Sequence, residues 1–422
     1  MTAVVAQSGV ASATSPTPGP PIGNKITATH FDGIRDFLRG SWDNVVPGHR
    51  NSLAISPRTD KTLSYTDPFG DGTAKTYDYG SWTTPVIKLG YGGDEAIASW
   101  NATTPTGTWV ETTFRGRHAD GTWTKWYVLG RWTSGTDFAH GDIHRTSLDG
   151  QGDTDANVYT DTFSARTGRT VTAYQTKVTL LRPHGSHATP TLSGLTTMTS
   201  EVQPDYTGTS AFTLGKQLEL DVPPYAQNIH RGEYPQFGGG GEVWCSPTST
   251  TMAQYYWGKK YQVPAADLAP IVAPNGDPQV DYAAIHAWDY QYDGSGNWPF
   301  NAAYAHEFGL DTFVTRLRSL AEVERFIKAG IPVVVSLSWS LDEMPEAGYE
   351  TDGHLMVIVG FTKNGDPILN DPASNSNANV RSIYTRKNFE KVWQESTNGI
   401  AYIYHPKNVK LPPHVKGATR NW

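Results

Sequence analysis

The sequence predicts two domains of different texture: an all-β sandwich or jelly roll, then an α+β domain. Three observations point that way. The chain has 422 residues, more than a single hydrophobic core usually organises. From about Lys25 to about Glu201, short alternating segments are punctuated by glycine-rich turns. Past Asp221 the pattern changes, and helical stretches precede a run of apolar strands.

Residues 1–24 are rich in Pro, Ser, Thr, Ala and Gly and read as a flexible tail or signal remnant. Ala11-Ser12-Ala13 has the small-x-small form of a signal-peptidase site, although no Lys or Arg precedes Lys25, and the expected location is secreted. In the β domain, residues 25–201, "TWVETTFRGR" and "TWTKWYVLGRW" alternate as strands around the Asp120-Gly121 turn signal. "TAYQTKVTLLRP" is a further strand, closed by Pro183. Residues 202–217 read as a linker, 218–410 as the second domain and 411–422 as a C-terminal tail.

Within the second domain, Ser246–Tyr256 suits a helix with Pro247 in its first turn. Asn301–Phe308 is a short helix stopped by Gly309. Ser319-Leu320-Ala321-Glu322 has the form of a capping box, with Val323, Phe326 and Ile327 on one face and Gly330 as the stop. "IPVVVSLSW" is a buried strand. "HLMVIVGF" and "DPILNDP" then flank Asn364-Gly365, a hairpin signal.

A formal net charge of -7 and a pI near 6.0 argue against nucleic acid and anionic membranes as partners. No apolar run reaches the roughly 18 residues that a membrane-spanning helix requires. Cys245 is the single cysteine, so it has no internal disulfide partner. It follows four glycines and opens a helical stretch, where the macrodipole favours a thiolate nucleophile. The ordinary reading of a lone cysteine is a small buried hydrophobe. His354, at the mouth of an apolar strand, and Asp371, on the return strand, change the balance. An imidazole can accept the thiol proton while a carboxylate fixes its tautomer.

These pieces carry a resemblance. "LDVPPYAQ" (220–227), "WCSPTSTTM" (244–252), "AGIPVVVSLSW" (329–339), "GHLMVIVGF" (353–361) and "ILNDPA" (368–373) resemble the C39-like branch of the papain-fold cysteine peptidases, relatives of the bacteriocin-processing (double-glycine) peptidases. Many relatives have Cys-Gly-Pro where this chain has Cys245-Ser246-Pro247. The resemblance implies a papain-like fold for the second domain and hydrolysis of a peptide or amide bond in a polypeptide substrate, without cofactor or metal. It implies Cys245 as nucleophile, His354 as general base and then acid, Asp371 as the orienting residue, and Gln227 as an oxyanion-hole donor with the Cys245 N–H. The alternatives are a papain-like acyltransferase or transglutaminase-like enzyme using the same pair, or an inactive protein whose β domain binds polysaccharide or cell wall.

Geometry sets one condition on this site. A strict two-residue Asn364-Gly365 loop would place Asp371 opposite Ile358, roughly 13 Å along the strand from His354. The triad then needs a bulge, strong twist or bend, and ideal pairing would put Asn375 beside His354 instead.

Other clusters read as structural. His140, Asp142 and His144, taken as one strand face, are spread too far for a single zinc ion. Asp149, Asp153 and Asp155 lack calcium-loop spacing. Trp109, Trp123, Trp126 and Trp132 could stack on sugars, but strand aromatics are usually core. His306-Glu307 carries no motif.

Overall fold

The computed structural model describes residues 25–202, 206 and 208–422. The expected tail or signal remnant at residues 1–24 lies outside them. Short strands with alternating burial form two seven-stranded antiparallel sheets in the N-terminal domain. One sheet centres on Glu95–Thr103 and Thr191–Ser200, the other on Trp109–Arg117 and Val171–Pro183. Their inner faces share one core, in which Trp82, Trp100, Phe114 and Val178 meet. The Asp120-Gly121 turn links Trp109–Arg117 to its partner Tyr127–Trp132, and Gly121 takes the positive φ that the turn demands.

The aromatic residues weighed as a sugar platform separate. Trp109 and Trp132 are buried core residues. Trp123 and Trp126 are half-buried, and the Arg115 guanidinium lies 4.4 and 4.6 Å from their ring centres. His140, Asp142 and His144 occupy a short 3-10 turn and the loop after it, not a strand, and each has its own partner. His140 bonds Asp137, Asp142 accepts from the Gly107 and Asp137 amides, and His144 bonds Asp67.

The C-terminal domain combines helices with a third seven-stranded antiparallel sheet. Along the sheet the order is Asp311–Arg316, Ile400–His405, Val333–Trp339, Thr351–Phe361, Pro367–Asn370 and Arg381–Ile383, with Leu218–Glu219 added on Thr351–Phe361. Helices Cys245–Tyr255, Pro278–Ala287 and Trp298–Glu307 lie between the short strand Leu218–Glu219 and the six others, among which Leu320–Lys328 and Arg386–Thr397 are interspersed. The capping box at Ser319 is not made. Ser319 forms no side-chain cap, and Glu322 instead accepts from the Arg318 amide and guanidinium, a buried pair that outcompetes a local cap.

The domains meet through a common core. Helix Trp298–Glu307 lays Phe300, Ala303 and Tyr304 against Trp100, Leu129 and Trp132. Polar contacts cross the same junction, with Thr312 Oγ1 donating to Asn101 Oδ1 at 2.7 Å and the Val314 amide to Ser99 Oγ at 3.1 Å. Two segments expected as connections are bound to the structure instead. In the 202–217 linker, Ser210 donates to Glu390 and Thr213 to Glu324, both buried carboxylates that need donors. Residues 411–422 do not form a tail. Trp422 is buried against Phe326, the Arg420 carbonyl accepts from Ala28, and Asn421 donates to Arg316 O and Glu322. This segment thus bridges the two domains.

Candidate active site

Cys245 begins the helix Cys245–Tyr255, and the residues before it explain the glycine run. Gly238, Gly239, Gly240 and Gly241 have φ of +79°, +76°, +67° and +63°, four successive left-handed residues that side chains disfavour. A Cβ on Gly240 would lie 2.0 Å from the His230 carbonyl oxygen, so two chain segments touch there through bare backbone. The helix itself is buried, and each of its serine and threonine hydroxyls finds a partner. Thr248 and Thr251 donate to carbonyls one turn back, and Ser246 Oγ meets Tyr402 Oη at 3.1 Å. Ser249 Oγ donates at 3.0 Å to the carbonyl of Leu355, the residue after His354. That bond ties the cysteine helix to the histidine strand.

His354 is buried on strand Thr351–Phe361. Its Nε2 is 2.9 Å from Asp371 Oδ1, which leaves Nδ1 as the nitrogen for the thiol. Cys245 is close enough to hydrogen bond to His354, and both line one cleft of about 500 Å³ with Trp298, Leu337 and Asp352. Burial opposes a charged imidazole. The Asp371 carboxylate and the Cys245 sulfur outweigh it and lift His354 to about 10. Burial likewise opposes the Asp371 anion, but His354 and further donors hold its carboxyl below the ordinary value.

Asp371 reaches His354 because the hairpin departs from the strict form. Thr362 pairs with Asp366 around a three-residue loop, since the Thr362 amide donates to Asp366 O and Gly365 to Thr362 O. A bulge between Ile358 and Gly360 then moves the register from Gly360–Ile368 to Val357–Asn370. Together these bring Asp371 two positions nearer His354, about 7 Å along the strand. Asn375 does not sit beside His354; its Oδ1 accepts from Asn228 at 3.4 Å.

Three aromatic residues complete the site without any motif in the sequence. Tyr349 and Tyr384 donate to Asp371 Oδ2 at 2.8 and 2.5 Å, and the Ala373 amide donates to Oδ1 at 2.9 Å. Trp339 and Tyr349 stand edge-on to the imidazole at 5.8 and 5.9 Å between ring centres. The only available signal was indirect: a buried carboxylate must find donors for both oxygens. Gln227 is buried in the turn Gln227–His230, and its backbone N–H donates at 2.8 Å to the carbonyl of Pro372, next to Asp371. Its Oε1 has no hydrogen-bond partner.

Comparison with known proteins follows the same division of the chain. Residues 219–400 match the Peptidase_C39 like family, and residues 27–200 match the Peptidase C39 N-terminal domain. No curated protein matches. Among solved structures, the chain is similar to one described as a C39-like peptidase from Bacillus anthracis, at 19% identity and a TM-score of 0.29, over 46% of this chain and 100% of that one. It is also similar to carbohydrate-binding modules of the β-sandwich superfamily, at 9% identity and a TM-score of 0.16, over 43% of this chain and 62% of that one. The C-terminal region of this protein is therefore C39-like, a family assignment that agrees with a cysteine peptidase-like function.

Proposed function

We propose that the protein is a secreted cysteine peptidase that hydrolyses a peptide or amide bond in a polypeptide, with a papain-like C-terminal domain behind a β-sandwich. The observation that carries this reading is the His354 imidazole, bonded through Nε2 to Asp371 and facing Cys245 in one cleft. A thiolate beside an imidazolium at a helix N-terminus is the form that attacks a carbonyl carbon. The resulting oxyanion rests on the Cys245 N–H and the Gln227 side-chain amide; losing one such donor costs about 2.7–4 kcal/mol of barrier. His354 passes its proton to the leaving amine, and a thioester remains. Water then attacks with His354 as base, releasing the acid and regenerating the thiol.

The test is alkylation of Cys245 by iodoacetamide against pH, in wild type and His354→Ala. A single cysteine makes the readout unambiguous. Fast labelling at about pH 6, lost in the variant, is expected of a thiolate–imidazolium pair; labelling that rises only above about pH 8 in both proteins is the behaviour of an ordinary thiol and overturns the reading. Product analysis with an added amine separates hydrolysis, which yields the free acid, from acyl transfer, which yields a new amide.

A further inference from the structure

The segment leading to Cys245 carries a second polar cluster that the proposed chemistry does not use. His230 closes the turn Gln227–His230, Glu233 follows three residues later, and Asp281 comes from helix Pro278–Ala287. His230 and Asp281 are fully buried and Glu233 nearly so. His230 Nδ1 is 2.8 Å from Glu233 Oε2 and 3.2 Å from Asp281 Oδ2, and one donor atom of each residue lies within 4.8 Å of the others. Asn275 donates to the far oxygen of Glu233, Oε1, through its side chain at 2.8 Å and its amide at 3.3 Å. That leaves Oε2 turned into the cluster. Asp281 Oδ1 has no donor, and Oδ2 faces only the cluster itself, with the His230 nitrogen at 3.2 Å, although buried carboxylates almost always find donors.

Without a metal, neutrality requires both a charged imidazole and a proton held between the two carboxyl groups. With both carboxylates ionised, the cluster keeps a net negative charge away from water, at an effective penalty of several kcal/mol for an uncompensated ion. A divalent cation removes the imbalance, because two carboxylates neutralise it and a neutral imidazole completes the donor set. Donors bound at about 2.0–2.2 Å around one ion stand roughly 3 Å apart, as His230 Nδ1 does from each carboxylate. One nitrogen with two oxygens suits zinc or manganese better than calcium or magnesium, which prefer oxygen alone.

We propose that His230, Glu233 and Asp281 form a binding site for a divalent transition-metal ion of the zinc type. Its role is structural. The ion joins the segment after Gln227 to helix Pro278–Ala287, directly behind the glycine loop. Gly240 packs on the His230 carbonyl, and the His230 ring lies 5.9 Å from that of Trp244, the residue before the nucleophile. Metal there would hold both approaches to Cys245 in place without touching substrate.

The experiment is elemental analysis of the purified full chain, with thermal unfolding measured before and after chelation by EDTA and after adding back Zn²⁺ or Mn²⁺. The expected result is about one metal equivalent per chain and a Tm that falls on chelation and recovers with metal. Asp281→Asn, which keeps the side-chain shape, should bind Zn²⁺ at least about tenfold more weakly and lose the chelator response. If that variant does not fold, metal content and Tm response of the wild type decide alone. A chain purified from zinc-supplemented medium that holds no metal, with a Tm that neither EDTA, Zn²⁺ nor Mn²⁺ moves, overturns the proposal. The cluster is then two carboxyl groups sharing a proton beneath an imidazolium.

Discussion

The charge state of His354 follows from the balance at one carboxylate. Asp371 takes donors on both oxygens: His354 and the Ala373 amide on one, Tyr349 and Tyr384 on the other. Removing one of these from a buried anion should be costly. Tyr384→Phe is expected to lose about 1.5–3 kcal/mol of stability in urea unfolding, the range for hydrogen bonds to charged groups; a loss near zero would show that Oδ2 is already satisfied. The pH dependence has a defined sign. His354 is raised from 6.5 to about 10, so the stabilisation from its charged form is complete below pH 6.5 and fades as pH rises toward 10. Asp371 is lowered from 3.8, so its contribution is complete above that value and lost as pH falls below it. The excess stability of wild type over His354→Ala should therefore be greatest from about pH 4 to 6.5 and shrink by about pH 10. Urea midpoints across that range check it, and an advantage growing with pH would contradict the ion pair.

Among the elements, two irregular ones place the reactive groups. The glycine loop 238–241 delivers the chain to Cys245 through four left-handed residues, one of them against the His230 carbonyl. Gly240→Ala combines a left-handed penalty of about 1–2 kcal/mol with a backbone clash. It should lower the unfolding free energy by more than about 2 kcal/mol and slow Cys245 alkylation, with far-UV circular dichroism unchanged. Alkylation at the wild-type rate would mean that the loop does not position the thiol. The hairpin after His354 is the second such element. Its glycine was readable as a turn, but the three-residue loop and the bulge near Val359 were not. Local signals describe a turn; the register of a long pairing depends on which packing its side chains find.

At the scale of the molecule, the N-terminal domain is packed into the peptidase-like domain rather than appended to it. Phe300, Ala303 and Tyr304 belong to the core of the β domain, and residues 419–422 connect strand Ile26–Asp32 with helix Leu320–Lys328. The chain of residues 1–422 is accordingly expected to unfold in one calorimetric transition, because neither domain buries that junction alone. A fragment spanning 218–422 should be insoluble or molten. Two well-separated transitions would show independent domains.

The sequence by itself determined the division into an all-β and a mixed domain, the helix at Cys245 and the apolar strand from His354. These rest on periodicity and on residue chemistry, which are local. Tertiary structure decided the rest: the bulge that brings Asp371 to His354, the tyrosines that satisfy its carboxylate, the unmade cap at Ser319 and the burial of Trp422. Each depends on partners distant in sequence. A buried polar group accepts whichever donor the packed fold brings within reach, and no spacing along the chain records that choice.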